Sequence, residues 1–523
     1  MKPLDYAVIG VFFMLMVLIG FCSSRKVKNS KDFFVAGGKV PWWLAGISHH
    51  VSGYSGVVFV AYAGVAYSYG LTIYVWWALA ITIAVIVGAY LIAPKWSKLR
   101  QNLDIGSPTE YLQSRYSAST QLMTAFSGTL LKLFDVAAKW ASIGILLNVF
   151  TGMPVIAGAV VAAAIALVYT TVGGLWADLY TDFVQFLIQI VAGIVMFITV
   201  VKKLGGPGNI LGMWHRLPKG HANLFNGPYT FAFALAFLLM SSFSYNGGTW
   251  SLATRYIASP NATSAKKSGL LSGALYLIWP LILFFPMWAA PLFMPHLADP
   301  TDSYALMVRR FLPEGLVGLV LAGIFSATLS MVTSDANTIS AVITKDIIPF
   351  LSKRFMKMHP EKELRLARLT TFTFVFMTLI VTSFYKDFGG VIGLIIIWFG
   401  ALVGPTAVPM ILGLVPSFKH SDSKAAIASI VTGISTFFVM KTVGHGISQA
   451  MILALPTVLS VSVFLGMGFA NRNGTVPEIV EHMLGQLSSS NVGSEPVIIA
   501  ANSSVIEETL KEGSSSGGNQ LVR

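Results

Sequence analysis

The residues of this 523-residue chain with the most chemical promise are polar groups set inside apolar runs. Two such runs are broken in the middle, one by Ser52, Gly53, Tyr54, Ser55 and Gly56, the other by Ser244, Tyr245, Asn246, Gly247 and Gly248. Unpaired backbone at membrane depth survives only where it lines a cavity. Two breaks at matching places of two halves point to an inverted-repeat transporter, whose unwound carbonyls and half-helix ends hold an ion and a solute. Close packing of small residues is the competing explanation for either break alone. Asp182 lies about two turns inside another run, and a carboxylate there calls for a partner or a cation. Gly323, Ser326, Ser330, Thr333 or Ser334, and Asn337 recur at three- and four-residue steps, which puts a polar stripe on one helix face, with Asp335 in the same stretch. Hydroxyls on such a face can simply bond their own backbone, but a stripe this long reads as facing a polar interior. His49 and His50 precede the first break. Adjacent helical residues point about 100° apart, so packing or an interfacial place is read ahead of a proton relay, and metal binding has little support. No nucleophile, base and orienting group occur together, and no nucleotide-binding loop or metal-ligand spacing is present. The chain therefore reads as neither an enzyme nor an ATP-driven pump, with no cofactor.

These groups must be positioned by membrane helices. Hydrophobic residues make up 55% of the chain and charged residues 11%, against about 25% charged in soluble domains. Runs of about 20 apolar residues, the length of a spanning helix, number about thirteen: 5–23, 42–66, 71–94, 120–149, 152–174, 178–201, 229–254, 268–294, 314–344, 367–385, 389–414, 424–440 and 447–470. Basic residues cluster in alternate loops, notably Arg25 to Lys31, Lys95 to Arg100, Lys266 and Lys267, and Lys345 to Arg368, the last including Lys353, Arg354 and Lys357. The positive-inside rule then predicts a periplasmic N-terminus and a cytoplasmic C-terminus in a bacterial inner membrane. Clustering of this kind accounts for the net charge of +13 without nucleic acid. The single cysteine, Cys22, cannot form an internal disulfide. The first run is followed by Ser-Ser-Arg-Lys rather than a cleavage site, so it reads as a retained span. The expected organisation is a transmembrane domain over 1–470, then a largely flexible cytoplasmic tail over 471–523 with a short amphipathic helix at Thr475 to Leu487. The expected partners are a small solute and membrane lipid, in a monomer or weak oligomer.

Several ordered segments resemble the sodium:solute symporter family, which includes bacterial galactose, proline, pantothenate and sialic acid symporters. Phe33 to Trp43 is similar to the approach to the family's first core helix, Gly173 to Gln185 to its fifth, and Asp302 through Ser326 to Asp346 to its eighth-helix region. The resemblance runs from about residue 5 to 470. It implies an all-α, LeuT-type fold of two five-helix inverted repeats, about 40–201 and 229–414, with flanking helices. It also implies alternating access, with sodium held by the carbonyls of Val51, Tyr54 and Gly323 and the hydroxyl of Ser326. Oxygen ligands suit a hard cation. Where the family places a second Ser or Thr, this chain has Ala327, and Thr328 is offset on the helix. A water, Ser55 or Asp182 could complete the site, or protons could couple instead through Asp182.

The polar positions of the sugar-carrying branch read here Val57, Val58, Trp77, Ser242, Tyr276 and Ile397, so no sugar is expected by analogy. Tyr245 matches the aromatic that caps the solute. The expected substrate contacts are Ser52, Ser55, Trp77, Ser242, Tyr245, Asn246, Tyr276 and Trp398, with Trp76 nearby, a set suited to a small amphipathic solute. A carboxylate could sit on the half-helix N-termini. A transporter-like sensor and a channel are the alternatives; the absence of an appended signalling domain weighs against the first, and the isolation of the breaks against the second.

Overall fold

A computed structural model describes residues 1–351, 359–443 and 446–489. Lipid offers no partner to a backbone amide, so apolar segments satisfy themselves as helices. Among the described residues there is no strand, only one isolated bridge between Asn226 and Tyr229. In chain order the helices that matter here are α1 (Pro3–Ser24), α2 (Trp42–Val51), α3 (Val58–Tyr69), α4 (Tyr74–Leu91), α5 (Ala118–Thr151), α6 (Val155–Val168), α7 (Gly174–Lys203), α8 (Phe231–Phe243), α9 (Trp250–Ile257), α10 (Ala262–Phe293), α11 (Leu316–Val342), α12 (Glu361–Ser383), α13 (Gly393–Leu412), α14 (Ser423–Val443), α15 (Gln449–Ala470) and α16 (Glu478–Ser488).

Ten helices among the described residues are long and apolar enough to cross a membrane, or eleven if α5 and α6, bent by 115°, form one span. The sequence count of about thirteen differs for physical reasons. The second apolar run is cut into α2 and α3, each too short to cross alone. α5 carries Lys132, Asp135 and Lys139 at its centre. α6 is too short to cross alone, and Gly174 separates it from α7 with φ 52° and ψ −147°, a conformation open to glycine; a Cβ there would lie 2.6 Å from the Phe33 carbonyl oxygen. Large apolar side chains such as Val11, Met14 and Leu18 on α1, and Leu187, Val191 and Ile198 on α7, face outward, as lipid contact requires.

Both expected interruptions are present. α2 ends at Val51, and helix resumes at Val58. α8 passes into a wide turn over Ser244–Gly248, where Gly247 has φ 141°, before α9 begins. A Cβ on Gly247 would lie 2.7 Å from the Trp96 ring.

α16 covers the expected amphipathic segment. Val480, Met483, Leu484 and Leu487 are buried, Lys98 donates to the Leu487 carbonyl at 2.9 Å, and Lys419 pairs with Glu481 at 2.7 Å. This part of the tail is a docked helix. The flexible stretch expected near Glu512, and Lys353, Arg354 and Lys357 of the basic loop, lie outside the described residues.

Candidate functional site

The two interruptions touch each other. The hydroxyl of Tyr245 donates to the Gly53 carbonyl at 2.8 Å, and a ring nitrogen of His49 lies 3.2 Å from the Tyr245 carbonyl. Tyr276, on α10, donates to the His50 carbonyl at 2.9 Å. Beside this junction is a chamber lined by Tyr54, Ser55, Val57, Val58, Tyr62, Trp77, Asp135, Lys139, Ser244, Tyr245, Thr249, Met331, Trp398 and Phe399, among others. Trp77 anchors its aromatic wall, with ring centroids 5.7 Å from Tyr62 and 6.0 Å from Tyr276.

Of the expected substrate contacts, Ser55, Trp77, Tyr245 and Trp398 line this chamber. The other four lie behind it. Ser242 donates back to the Leu238 carbonyl at 2.8 Å. Asn246 donates to the carbonyls of Ala84 at 3.0 Å and Ser242 at 2.8 Å, latching the second break to α4, while Trp96 caps the Asn246 carbonyl. Tyr276 packs edge-on to Tyr245. Ser52 belongs to the ion network below. His49 bonds Ser272 at 2.8 Å, and His50 lies against Tyr54 and Tyr276, so the paired histidines diverge.

The residues expected to hold sodium sit on α2, the first break and α11. Val51 closes α2, Tyr54 lies in the break, and Gly323 and Ser326 are buried on α11. The Ser326 hydroxyl donates to the Ala322 carbonyl at 2.7 Å, which leaves its lone pairs free to accept a cation. Thr328 is committed elsewhere: its oxygen receives the Gly56 amide at 2.7 Å and so caps the start of the second half-helix.

Asp182 meets α11 at Ser330, one turn beyond Ser326, in a fully buried network. Its carboxylate accepts from Ser48, Ser52 and Ser330, and Arg255 lies 3.2 Å away. Asp178, one turn earlier on α7, is buried beside it. It pairs with Arg255 at 2.6 Å and accepts from Thr333 at 2.6 Å and Ser334 at 2.8 Å. The network joins the end of α2, the start of α7, α9 and α11. Two carboxylates against one guanidinium leave one negative charge enclosed, a surplus that a cation or a proton would relieve. The polar stripe on α11 supplies the hydroxyls.

A second buried network was not foreseen. Lys132, Asp135 and Lys139 on α5 meet Asp335 on α11: Lys132 and Lys139 each lie 2.7 Å from one oxygen of Asp135, Lys132 is 2.9 Å from Asp335, and Lys139 also pairs with Asp335. The signal was available, since three charges at positions i, i+3 and i+7 of an apolar helix share one face and must find partners inside the bundle.

Comparison with known proteins bears on the family and the fold. Residues 33–433 match the sodium:solute symporter family. The sodium/sialic acid symporter of Proteus mirabilis is 26% identical over 456 residues, covering 82% of this chain and 88% of its own. The sodium/glucose cotransporter of Vibrio parahaemolyticus is 26% identical over 378 residues, 66% and 68% of the two chains. A substrate-bound, outward-open, Na+-coupled sialic acid symporter with a novel Na+ site superposes with a TM-score of 0.78 at 21% identity, over 90% of this chain and 98% of that one. A nucleobase-cation symporter closed on bromovinylhydantoin superposes at 0.55 and 13% identity, over 88% and 99%.

Proposed function

Because this chain belongs to the sodium:solute symporter family and has its LeuT-type fold, we propose that it carries a small organic solute together with sodium by alternating access. It is a multi-pass membrane transporter, not an enzyme. The observation that carries the reading is the junction of two unwound segments beside one chamber, which Tyr54 and Ser55 of the first break also line. On this reading the repeats span about 40–201 and 229–414 of a membrane domain over 1–470. The protein acts as a monomer or weak oligomer in a bacterial inner membrane, with its N-terminus periplasmic and its C-terminus cytoplasmic.

Each group then has a task. Carbonyls of Val51, Tyr54 and Gly323 and the hydroxyl of Ser326 take the coupling ion. Ser55, Trp77, Tyr245 and Trp398 contact the solute, while Ser52, Ser242, Asn246 and Tyr276 hold the walls. Asp182, inside its ring of hydroxyls, offers a second place for a cation. The same enclosed negative charge favours one alternative, coupling to a proton carried on Asp182.

Proteoliposomes loaded with purified protein decide between them. Uptake of 22Na+ should rise when amino acids, organic acids, sugars or vitamins are screened as partners, and solute uptake should collapse when the sodium gradient is removed. Asp182→Asn should raise the half-saturating sodium concentration at least tenfold, the equivalent of about 1.4 kcal/mol. Solute uptake driven equally well by a proton gradient without sodium would replace the sodium reading with the proton one. A milder result is expected of Ala327→Ser. One added hydroxyl ligand, worth about 1 kcal/mol, should lower half-saturating sodium roughly fivefold. An unchanged value would mean that the position after Ser326 does not face the ion.

A further inference from the structure

We infer that the solute is a zwitterion, with an ammonium and a carboxylate a few ångströms apart as in an amino acid; this rests on the transport reading above and names the solute class for the same chamber. Its basis is the unforeseen network on α5. Lys132 and Asp335 are its closed side, while Asp135 and Lys139 also line the chamber. Both lysines lie 2.7 Å from the same oxygen of Asp135, its Oδ2. The other oxygen, Oδ1, takes part in neither of these pairs, and Asp135 lines the chamber. An ammonium has three donors. Lys139 spends two on Asp135 and Asp335, which leaves one. The wall thus presents one free acceptor on a carboxylate and one free donor on an ammonium, side by side.

The four charges cancel, so the wall as a whole is neutral. A neutral polyol would leave these charged groups facing only hydroxyls. A simple anion or cation would use one member of the pair and be repelled by the other. A zwitterion laid against the wall satisfies both, its ammonium on Asp135 Oδ1 and its carboxylate on Lys139. The aromatic surround fits the cationic end. Tyr62, Trp77, Tyr245 and Trp398 line the same space, and such faces attract ammonium groups. Lys132 already uses this interaction, 4.0 Å from the centroid of Trp398.

The test is 22Na+ uptake by wild-type proteoliposomes with matched probes: the standard L-amino acids and glycine betaine, their N-acetyl and amide counterparts, monocarboxylates, and neutral sugars. At least one zwitterion should drive sodium uptake. Acetylating its amine or amidating its carboxylate should raise the half-saturating concentration at least tenfold. Asp135→Asn should cost a similar factor for the same zwitterion. That variant also loosens both lysines, so the wild-type probe series decides the question even if the variant does not fold. A sugar or a monocarboxylate that drives sodium uptake while every zwitterion is silent overturns this inference and leaves sodium symport standing. Silence from every class would sink both.

Discussion

Replacing Arg255 with alanine is expected to abolish solute-driven sodium uptake and to lower the melting temperature of the detergent-solubilised protein sharply. Arg255 is fully buried and is the counter-charge of both Asp178 and Asp182. Without it two carboxylates face each other in a low-dielectric interior. Breaking a buried pair in this way costs about 3–5 kcal/mol, because the orphaned charge cannot reach water. The network also joins α2, α7, α9 and α11, so its loss should free one side of the chamber. A second variant separates charge from shape. Arg255→Ala combined with Asp178→Asn keeps the net charge of the wild type and should recover much of the lost melting temperature. If Arg255→Ala alone melts and transports like the wild type, Arg255 is not what balances the two carboxylates.

Gly53→Ala is expected to be nearly as damaging, for a steric reason. A Cβ at Gly53 would lie 1.7 Å from the hydroxyl oxygen of Tyr276 and 3.1 Å from the ring of Tyr245. Tyr276 is fully buried and its hydroxyl is bonded to the His50 carbonyl, so it cannot step aside without giving up that bond. Overpacking of this kind costs about 1–3 kcal/mol, here at the junction on which the chamber depends. Solute uptake per folded molecule should fall at least tenfold. Tyr276→Phe removes the clashing oxygen but leaves ring carbon Cζ 3.0 Å from the new methyl, so the double variant should recover part of the activity. Gly10→Ala, with nothing within 4 Å, should transport like the wild type. Full activity in Gly53→Ala would show that the first break relaxes freely around an added methyl.

The two breaks were legible because glycine and polar residues inside a hydrocarbon-length run contradict lipid as a solvent, and only a cavity resolves the contradiction. The stripe on α11 was legible for the same reason, and its hydroxyls do face the carboxylates of α7. The partner of those carboxylates was not. Arg255 sits just beyond the run over 229–254, on α9 after the break, where it meets the carboxylates of α7. Which chamber residues show their side chains also lay beyond periodicity. Ser242 and Ser55 look alike in sequence, yet one bonds its own helix and the other lines the cavity. Lys132, Asp135 and Lys139 had the clearest unused signal, since charges one turn apart in a spanning helix must answer to something.

The bond from Tyr245 to Gly53 ties the proposed solute and ion sites to one strip of main chain. Gly53 is the neighbour of Tyr54, whose carbonyl is a proposed ion ligand, and Tyr245 is a proposed solute contact. A guest that claims the phenol leaves the glycine carbonyl bare, and that peptide must turn to find a new positive partner. A cation held at the neighbouring Tyr54 carbonyl, as proposed, would be such a partner. Cooperation between the two passengers then needs no long relay through the bundle. It is written into adjacent peptide groups, and by thermodynamic reciprocity whatever factor the guest lends the cation's affinity, the cation returns to the guest.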